Sequence, residues 1–196
     1  MVNQFKKILI AGDSFSAVWP DSNTGWVNLL AKDYDVTNLS EPGISEYKIL
    51  KQIESVNTTS FDVVIVSHTS PSRVHTKNHP IQKSGFRKNC DLIYHDIENH
   101  FNPFNFNLLS AKLFFRYHYD DEYQIDIYNL IRDKINNLIK TKYISISHLE
   151  IAAELAIEKY HTDFSTLWSK ERGYTNHYTD NGNKIVYNII KELIEK

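Results

Sequence analysis

Short apolar runs alternate along the chain with longer segments in which apolar residues recur at helical spacing. The clearest run is 61–66, Phe-Asp-Val-Val-Ile-Val, which is continuous and rich in β-branched residues. Such a run is typical of a strand that is covered on both faces of a parallel sheet. Shorter runs of the same kind predict strands at 8–11, 34–39 and 142–147. Helical spacing predicts helices over 25–31, 44–56, 121–140, 149–160 and 180–196, and a less regular one near 89–98. Asp180 is the expected N-cap of the last helix.

The order of these elements determines the fold class that we expect. Strand, helix, strand, helix, strand is the pattern of a doubly wound fold. We therefore predict an α/β protein with three layers, α/β/α, built on a parallel sheet of four or five strands. The length of 196 residues suits one domain that spans 1–196.

The stretch at about 75–140 fits this pattern least well, and we interpret it as an aromatic-rich insertion. Residues 101–123 alone hold eight Phe and Tyr side chains. These rings either pack as an additional helical layer of the core, or form a lid or a surface on which a sugar could stack.

Composition narrows the class of partners. The formal net charge is −2 and the sequence pI is about 6.5, so a nucleic-acid partner is not expected. The single cysteine, Cys90, excludes an internal disulfide, and we expect it to be a half-buried structural thiol. The first residues run into a strand that is too short for a signal-peptide core or a membrane span. We therefore expect a cytoplasmic protein with no membrane partner.

Two polar segments at opposite ends of the chain carry the candidate chemistry. The segment Gly12-Asp13-Ser14-Phe15-Ser16 follows the first strand, and its glycine allows a tight turn that leaves Ser14 at the strand's carboxyl end, where ligands bind in open α/β sheets. His177 lies in the loop before the last helix. A serine hydroxyl is a poor nucleophile until a base accepts its proton, and histidine titrates near neutrality. Ser14 and His177 are therefore a candidate catalytic pair, and the alternative is two unrelated polar loop residues.

The order and approximate spacing of these segments resemble those of the SGNH, or GDSL, hydrolase family. Gly12-Asp13-Ser14 after the first strand, Gly43 in the segment 38–43 after the second, and His177 before the last helix match three of its blocks. The resemblance implies a flavodoxin-like SGNH hydrolase fold, with Ser14 as nucleophile and His177 as base. It also implies a serine esterase or acyl hydrolase that cleaves a small O-acyl ester, for example one on a carbohydrate.

The chain departs from the family pattern at two places. The third block, Gly-x-Asn-Asp in the family, falls on Ser67-His68-Thr69-Ser70 here, so the asparagine that helps to bind the oxyanion is missing. A hydroxyl of Thr69 or Ser70 could replace that donor beside the N–H groups of Ser14 and Gly43. In the last block, Tyr174 stands where the family has aspartate, which reduces the expected triad to a Ser14–His177 dyad. The sequence leaves open which group orients the imidazole.

Three further residues are candidates for substrate binding. Asp13 and His68 are expected at the pocket edge, although Asp13 is also suited to stabilising its own turn through backbone hydrogen bonds. Arg73 either meets an anionic group of the substrate or pairs with a surface carboxylate. His75 and His79 are predicted to be a solvated pair in a loop, and no metal or other cofactor is expected.

The sequence is compatible with two other functions. An O-acyltransferase that modifies a glycan could use the same dyad, with a sugar hydroxyl in place of water. A non-catalytic carbohydrate-binding relative would fit the missing asparagine and aspartate. The acyl group, the substrate and the oligomeric state are not predicted.

Overall fold

The computed structural model describes residues 5–19, 23–173 and 177–196, and it contains one parallel sheet of five strands in the order β2-β1-β3-β4-β5. The strands are β1 Lys7–Gly12, β2 Asp35–Asn38, β3 Val63–His68, β4 Lys142–Ser147 and β5 Thr162–Asp163. The helices are α1 Trp26–Leu30, α2 Glu46–Glu54, α3 Tyr94–Asn99, α4 Phe106–Tyr117, α5 Asp121–Leu138, α6 Glu150–Leu155, α7 Ser165–Lys170 and α8 Asp180–Glu195. The predicted α/β class and the parallel sheet are confirmed.

Helices cover both faces of the sheet because successive side chains of a strand point to opposite sides. In β1, Ile8 and Ile10 pack with α1 and α8, whereas Leu9 and Ala11 pack with α2 and α5. All four side chains are fully buried. This alternation of two cores about one sheet gives the three layers that the sequence predicts.

The structure differs from the prediction at three helix termini and contains one additional short strand. The chain leaves α6 at Ala156, which has extended backbone, so this helix ends at Leu155 rather than near 160. The released segment supplies β5, which has only two residues and leaves no periodic signal. The predicted helix near 89–98 is α3, which begins later, at Tyr94. Thr179, not Asp180, is the N-cap of α8, because its hydroxyl accepts the Gly182 N–H at 3.1 Å.

The aromatic-rich stretch forms a small core of its own and also a solvent-facing surface. Phe115 is buried among Leu92, Ile97, Leu108 and Ala111. The outer rings of this stretch are exposed, namely Phe101, Phe104, Phe106, Tyr117 and Tyr123. The prediction of an additional helical layer therefore holds for part of the stretch only. No helix in the described ranges is both long enough and apolar enough to cross a membrane.

The strand order places a crevice between β1 and β3. The chain continues from β1 to β2 on one side, and β3 then pairs with the other side of β1, with Gly12 opposite Ser67. In doubly wound sheets of this order, ligands bind at the carboxyl ends of the strands at this reversal. Both the Ser14 turn and the segment 69–73 begin there.

Candidate active site

The turn that carries Ser14 requires a glycine directly before it. A Cβ at Gly12 would lie 2.5 Å from Ser16 Oγ and 2.7 Å from the Cβ of Ser67 on the neighbouring strand. Asp13 then accepts the Phe15 N–H at Oδ1 over 3.0 Å, and its carbonyl accepts the N–H groups of Ser16 and Ala17. These bonds reverse the chain and leave Ser14 partly exposed at the tip of the turn.

The second carboxylate oxygen of Asp13 links this turn to the segment after β3. Asp13 Oδ2 accepts the Thr69 hydroxyl at 2.9 Å and lies 2.9 Å from Arg73 Nη1, which also donates to the Ile44 carbonyl at 3.0 Å. Asp13 and Thr69 are fully buried. The Asp13 carboxylate therefore connects the loops that follow β1 and β3 directly, and it reaches the loop after β2 through Arg73. Asp13 thus stabilises its own turn and also joins that turn to the neighbouring loops.

The loop that contains Gly43 is held in place by Asp91, a buried residue that the sequence did not reveal as part of the site. It has φ of +75°, and a Cβ there would lie 2.7 Å from the Cβ of Cys90. Its carbonyl accepts the Asp91 N–H at 2.9 Å, and the Asp91 side chain accepts the Ser45 N–H at 2.7 Å. Cys90 is buried rather than half-buried, and burial raises the pKa of its thiol, which does not suit a nucleophile.

A cavity of about 470 Å³ opens at this edge of the sheet. Five residues predicted from the sequence line it together, namely Ser14, Gly43, Ser70, Arg73 and His177. They come from positions up to 163 residues apart (177 − 14), and the fold brings them to the reversal between β1 and β3. Asp13, His68 and Thr69 lie outside this lining.

The His177 imidazole packs against two aromatic rings. The backbone next to it is held by an isolated antiparallel bridge between Arg172 and Tyr178. The imidazole centroid lies 5.0 Å from the Phe15 ring and 4.8 Å from the Trp19 ring. The Trp19 indole also donates to the Ser14 carbonyl at 3.1 Å, so one side chain contacts both members of the candidate pair. Tyr174, the position of the missing aspartate, lies outside the described residues.

The N–H groups expected to bind an oxyanion are available at the cavity. Within the described part of the chain, neither the Ser14 nor the Gly43 N–H donates a hydrogen bond. Of the two hydroxyls considered as a third donor, that of Thr69 is engaged by Asp13. The Ser70 hydroxyl lies at the cavity and is 2.8 Å from the Ser72 hydroxyl. The structure thus brings Ser70 to the site and leaves Thr69 beneath it.

His68 lies in a different network from the one that the sequence suggested. It is buried, with Nδ1 2.6 Å from Glu46 Oε1 and Nε2 3.0 Å from the Tyr143 hydroxyl. Glu46 also accepts the Thr69 N–H at 3.2 Å. His68 therefore belongs to a buried hydrogen-bond network at the end of β3, and it does not line the cavity.

Other residues of the cavity carried no sequence signal. Trp19 and Ser72 stand in short loops, and the outer wall comes from the insertion, where Arg87 and Asp96 pair at 2.8 Å. Loop residues without periodicity can be placed only by the tertiary fold. The prediction that His75 and His79 are a solvated pair is wrong for His79, which is buried, whereas His75 is exposed. Among the described residues, no three His, Cys, Asp or Glu side chains are grouped as metal ligands.

Neither a family model nor a curated protein matches this sequence.

Proposed function

We propose that the protein is a serine esterase or acyl hydrolase of the SGNH type, which cleaves a small O-acyl ester with Ser14 as nucleophile and His177 as base. The observation that carries the proposal is that Ser14, Gly43 and His177 line one cavity at the strand-order reversal of a parallel sheet. Ser14 follows β1, Gly43 follows β2 and His177 precedes α8, which is the order of the three matching sequence blocks. The resemblance in motif order and this shared cavity are two separate supports for the same chemistry.

The reaction follows from the properties of these groups. Ser14 Oγ attacks the ester carbonyl carbon while His177 accepts the hydroxyl proton. The carbonyl oxygen becomes an oxyanion, which the N–H groups of Ser14 and Gly43 stabilise, with the Ser70 hydroxyl as a third donor. The bond to the leaving oxygen then breaks, and His177 returns the proton to the leaving alcohol. Water hydrolyses the acyl-serine by the same two steps, which restores the Ser14 hydroxyl and releases the acid.

The neighbouring groups suit the task of holding this geometry. Asp13 fixes the Ser14 turn through Phe15 and through the Thr69 and Arg73 side chains, and it is buried away from the reacting atoms. The Arg73 guanidinium is already paired with that carboxylate. We therefore assign Asp13 a positioning role rather than direct substrate binding.

Kinetics on a short ester test the proposal. Ser14→Ala and His177→Ala are each expected to lower turnover of p-nitrophenyl acetate by about 10³-fold or more, because the two residues act as one unit. Ile93→Val is the matched control, because Ile93 lines the same cavity and has no assigned role in the reaction, and this variant is expected to retain most of the activity. Wild-type turnover in purified, folded Ser14→Ala would contradict the proposal.

A second candidate function, O-acyl transfer, is favoured by one observation. A second cavity of about 250 Å³ adjoins the first and shares Ser70 and Arg73 with it. An acceptor alcohol bound there would compete with water for the acyl-serine. Transfer of the acyl group from the ester to an added sugar, measured by mass spectrometry, would distinguish a transferase from a hydrolase, which releases only the free acid.

A further inference from the structure

A separate cavity of about 390 Å³ lies within the insertion, and its chemistry differs from that of the candidate active site. Three lysines, Lys77, Lys83 and Lys88, stand around it, and no carboxylate is part of its lining. Its volume is within the range of small-molecule sites. The composition of the wall therefore selects for a negatively charged occupant.

The three lysines are not neutralised by the protein. Within the described ranges, none of them forms an ion pair or donates a side-chain hydrogen bond. Outside this cavity, Lys48, Lys51, Lys134 and Lys191 are each paired with a carboxylate, whereas Lys32, for example, is unpaired as well among the described residues. The feature that distinguishes Lys77, Lys83 and Lys88 is that three unpaired lysines line one cavity. Three like charges around one cavity repel each other, and an anion would relieve that repulsion.

A buried histidine, His79, also lines this cavity. His79 is only 5% exposed, and its Nδ1 accepts the N–H groups of Ile81 and Gln82 at 3.1 and 2.9 Å. Because Nδ1 is an acceptor, the ring proton of the neutral imidazole is on Nε2. Nε2 is buried and has no partner among the described residues. Because His79 is one of the residues that line the cavity, a bound anion would change the surroundings of its imidazole ring.

Neutral donors complete the lining. The amides of Asn78, Gln82 and Asn107 stand beside the lysines. Asn107 is the second residue of the twelve-residue helix α4, so the positive end of that helix dipole is close to the cavity. The Asn105 side chain donates to the Pro80 carbonyl at 2.9 Å and fixes the helix start to the loop that holds His79.

We propose that this lysine-lined cavity is a binding site for a phosphate-class oxyanion, either free phosphate or diphosphate or the phosphate group of a small organic molecule. Arg87 lines the candidate active site and the next residue, Lys88, lines this cavity, so the two sites are neighbours in the insertion. The oxyanion site does not depend on the proposed esterase activity. It is defined by the three lysines, His79 and the amides.

Calorimetric titration of the full chain tests the proposal, with phosphate, diphosphate and glycerol phosphate at constant ionic strength and chloride as the reference anion. Saturable binding of at least one of them is expected, and the arm that binds most tightly distinguishes an inorganic ion from an organic phosphate. Lys83→Met and Lys88→Met are each expected to weaken binding by roughly threefold to fivefold. In a spectrum of the imidazole nitrogens, the His79 Nε2 signal should shift on binding.

Lys32→Met is the matched control, because Lys32 is an exposed lysine that follows α1, outside the insertion. It is expected to leave the binding constant unchanged. The proposal is overturned if none of the three anions binds saturably. It is also overturned if both insertion lysines can be replaced without loss, or if Lys32→Met weakens binding as much as they do. The lysines are exposed, so their replacement does not threaten folding and the test remains decisive.

Discussion

At the scale of the residue, one buried carboxylate explains why two neighbouring hydroxyls have different roles. Thr69 and Ser70 follow the same strand, and the sequence offers them as equivalent donors to an oxyanion. The Thr69 hydroxyl donates to the fully buried Asp13, whereas Ser70 reaches the cavity. A residue pattern cannot predict this division, because it depends on which side chain meets Asp13 across the sheet.

The two hydroxyls are therefore expected to respond differently to removal. Thr69→Val leaves a buried carboxylate with one donor fewer, so the free energy of unfolding should fall by about 1–3 kcal/mol, with turnover of the folded fraction nearly unchanged. Ser70→Ala should lower turnover by about 10²–10³-fold and leave stability almost unchanged if its hydroxyl is the third oxyanion donor. Urea unfolding and ester hydrolysis measure the two effects separately. Equal effects of both variants on turnover would show that the assignment is wrong.

At the scale of the element, the glycine loop after β2 is specified by a close contact as well as by its backbone angle. Gly43 and Gly85 have nearly the same positive φ, 75° and 71°. A Cβ at Gly43 would meet Cys90 at 2.7 Å, while a Cβ at Gly85 would meet nothing within 4 Å. Comparing the same substitution at the two glycines therefore separates the cost of backbone strain from the cost of a steric clash.

Gly85→Ala should cost about 1–2 kcal/mol, the price of a left-handed residue with a side chain. Gly43→Ala should cost clearly more, because Cys90 must also move, and it should lower activity by displacing the Gly43 N–H. Urea unfolding of both variants gives the difference between them. If Gly43→Ala is no more destabilising than Gly85→Ala, the contact with Cys90 does not constrain the loop.

The elements also show which parts of the fold can be predicted from sequence. Strands β1 and β3 have continuous apolar runs and helix α5 has a long helical periodicity, so their positions follow from hydrophobic burial. The two-residue strand β5 and the short helix α7 have no such signal, because neighbouring elements impose them. In the same way, Ser14, Gly43 and His177 could be chosen because each follows or precedes a predictable element. Trp19 and Arg87 could not, since they come from irregular loops.

At the scale of the whole molecule, a second histidine behind the candidate site couples folding to pH. His148 is fully buried, stacked on Phe15 at 4.8 Å, and Nδ1 is 2.7 Å from the Tyr178 hydroxyl. Burial, with a smaller effect from the nearby His177, lowers the pKa of His148 to about 3. In the unfolded chain this group takes up a proton near pH 6.5. Between these two values the unfolded state binds more protons, so stability falls as the pH falls.

This coupling predicts that the free energy of unfolding depends on pH, and that substitution of His148 removes this dependence. From about pH 6.5 down towards pH 3, His148 contributes a loss of up to about 1.4 kcal/mol per pH unit in the free energy of unfolding. His148→Phe should flatten that part of the profile, since an aromatic ring is retained but cannot be protonated. Ile10→Val, in the same core, should lower stability without changing the slope. Urea unfolding at a series of pH values measures this, and an unchanged slope in His148→Phe would contradict a neutral buried His148.

We propose that Ser14 is a nucleophile that is activated at the cavity it shares with His177, and covalent labelling tests this proposal directly. Intact-mass and peptide mass spectrometry after treatment with a fluorophosphonate should show one adduct, on Ser14. His177→Ala should label much more slowly, and Ser70→Ala should still be labelled. Absence of an adduct on Ser14 in the folded wild-type protein, or equally fast labelling in His177→Ala, would contradict the account.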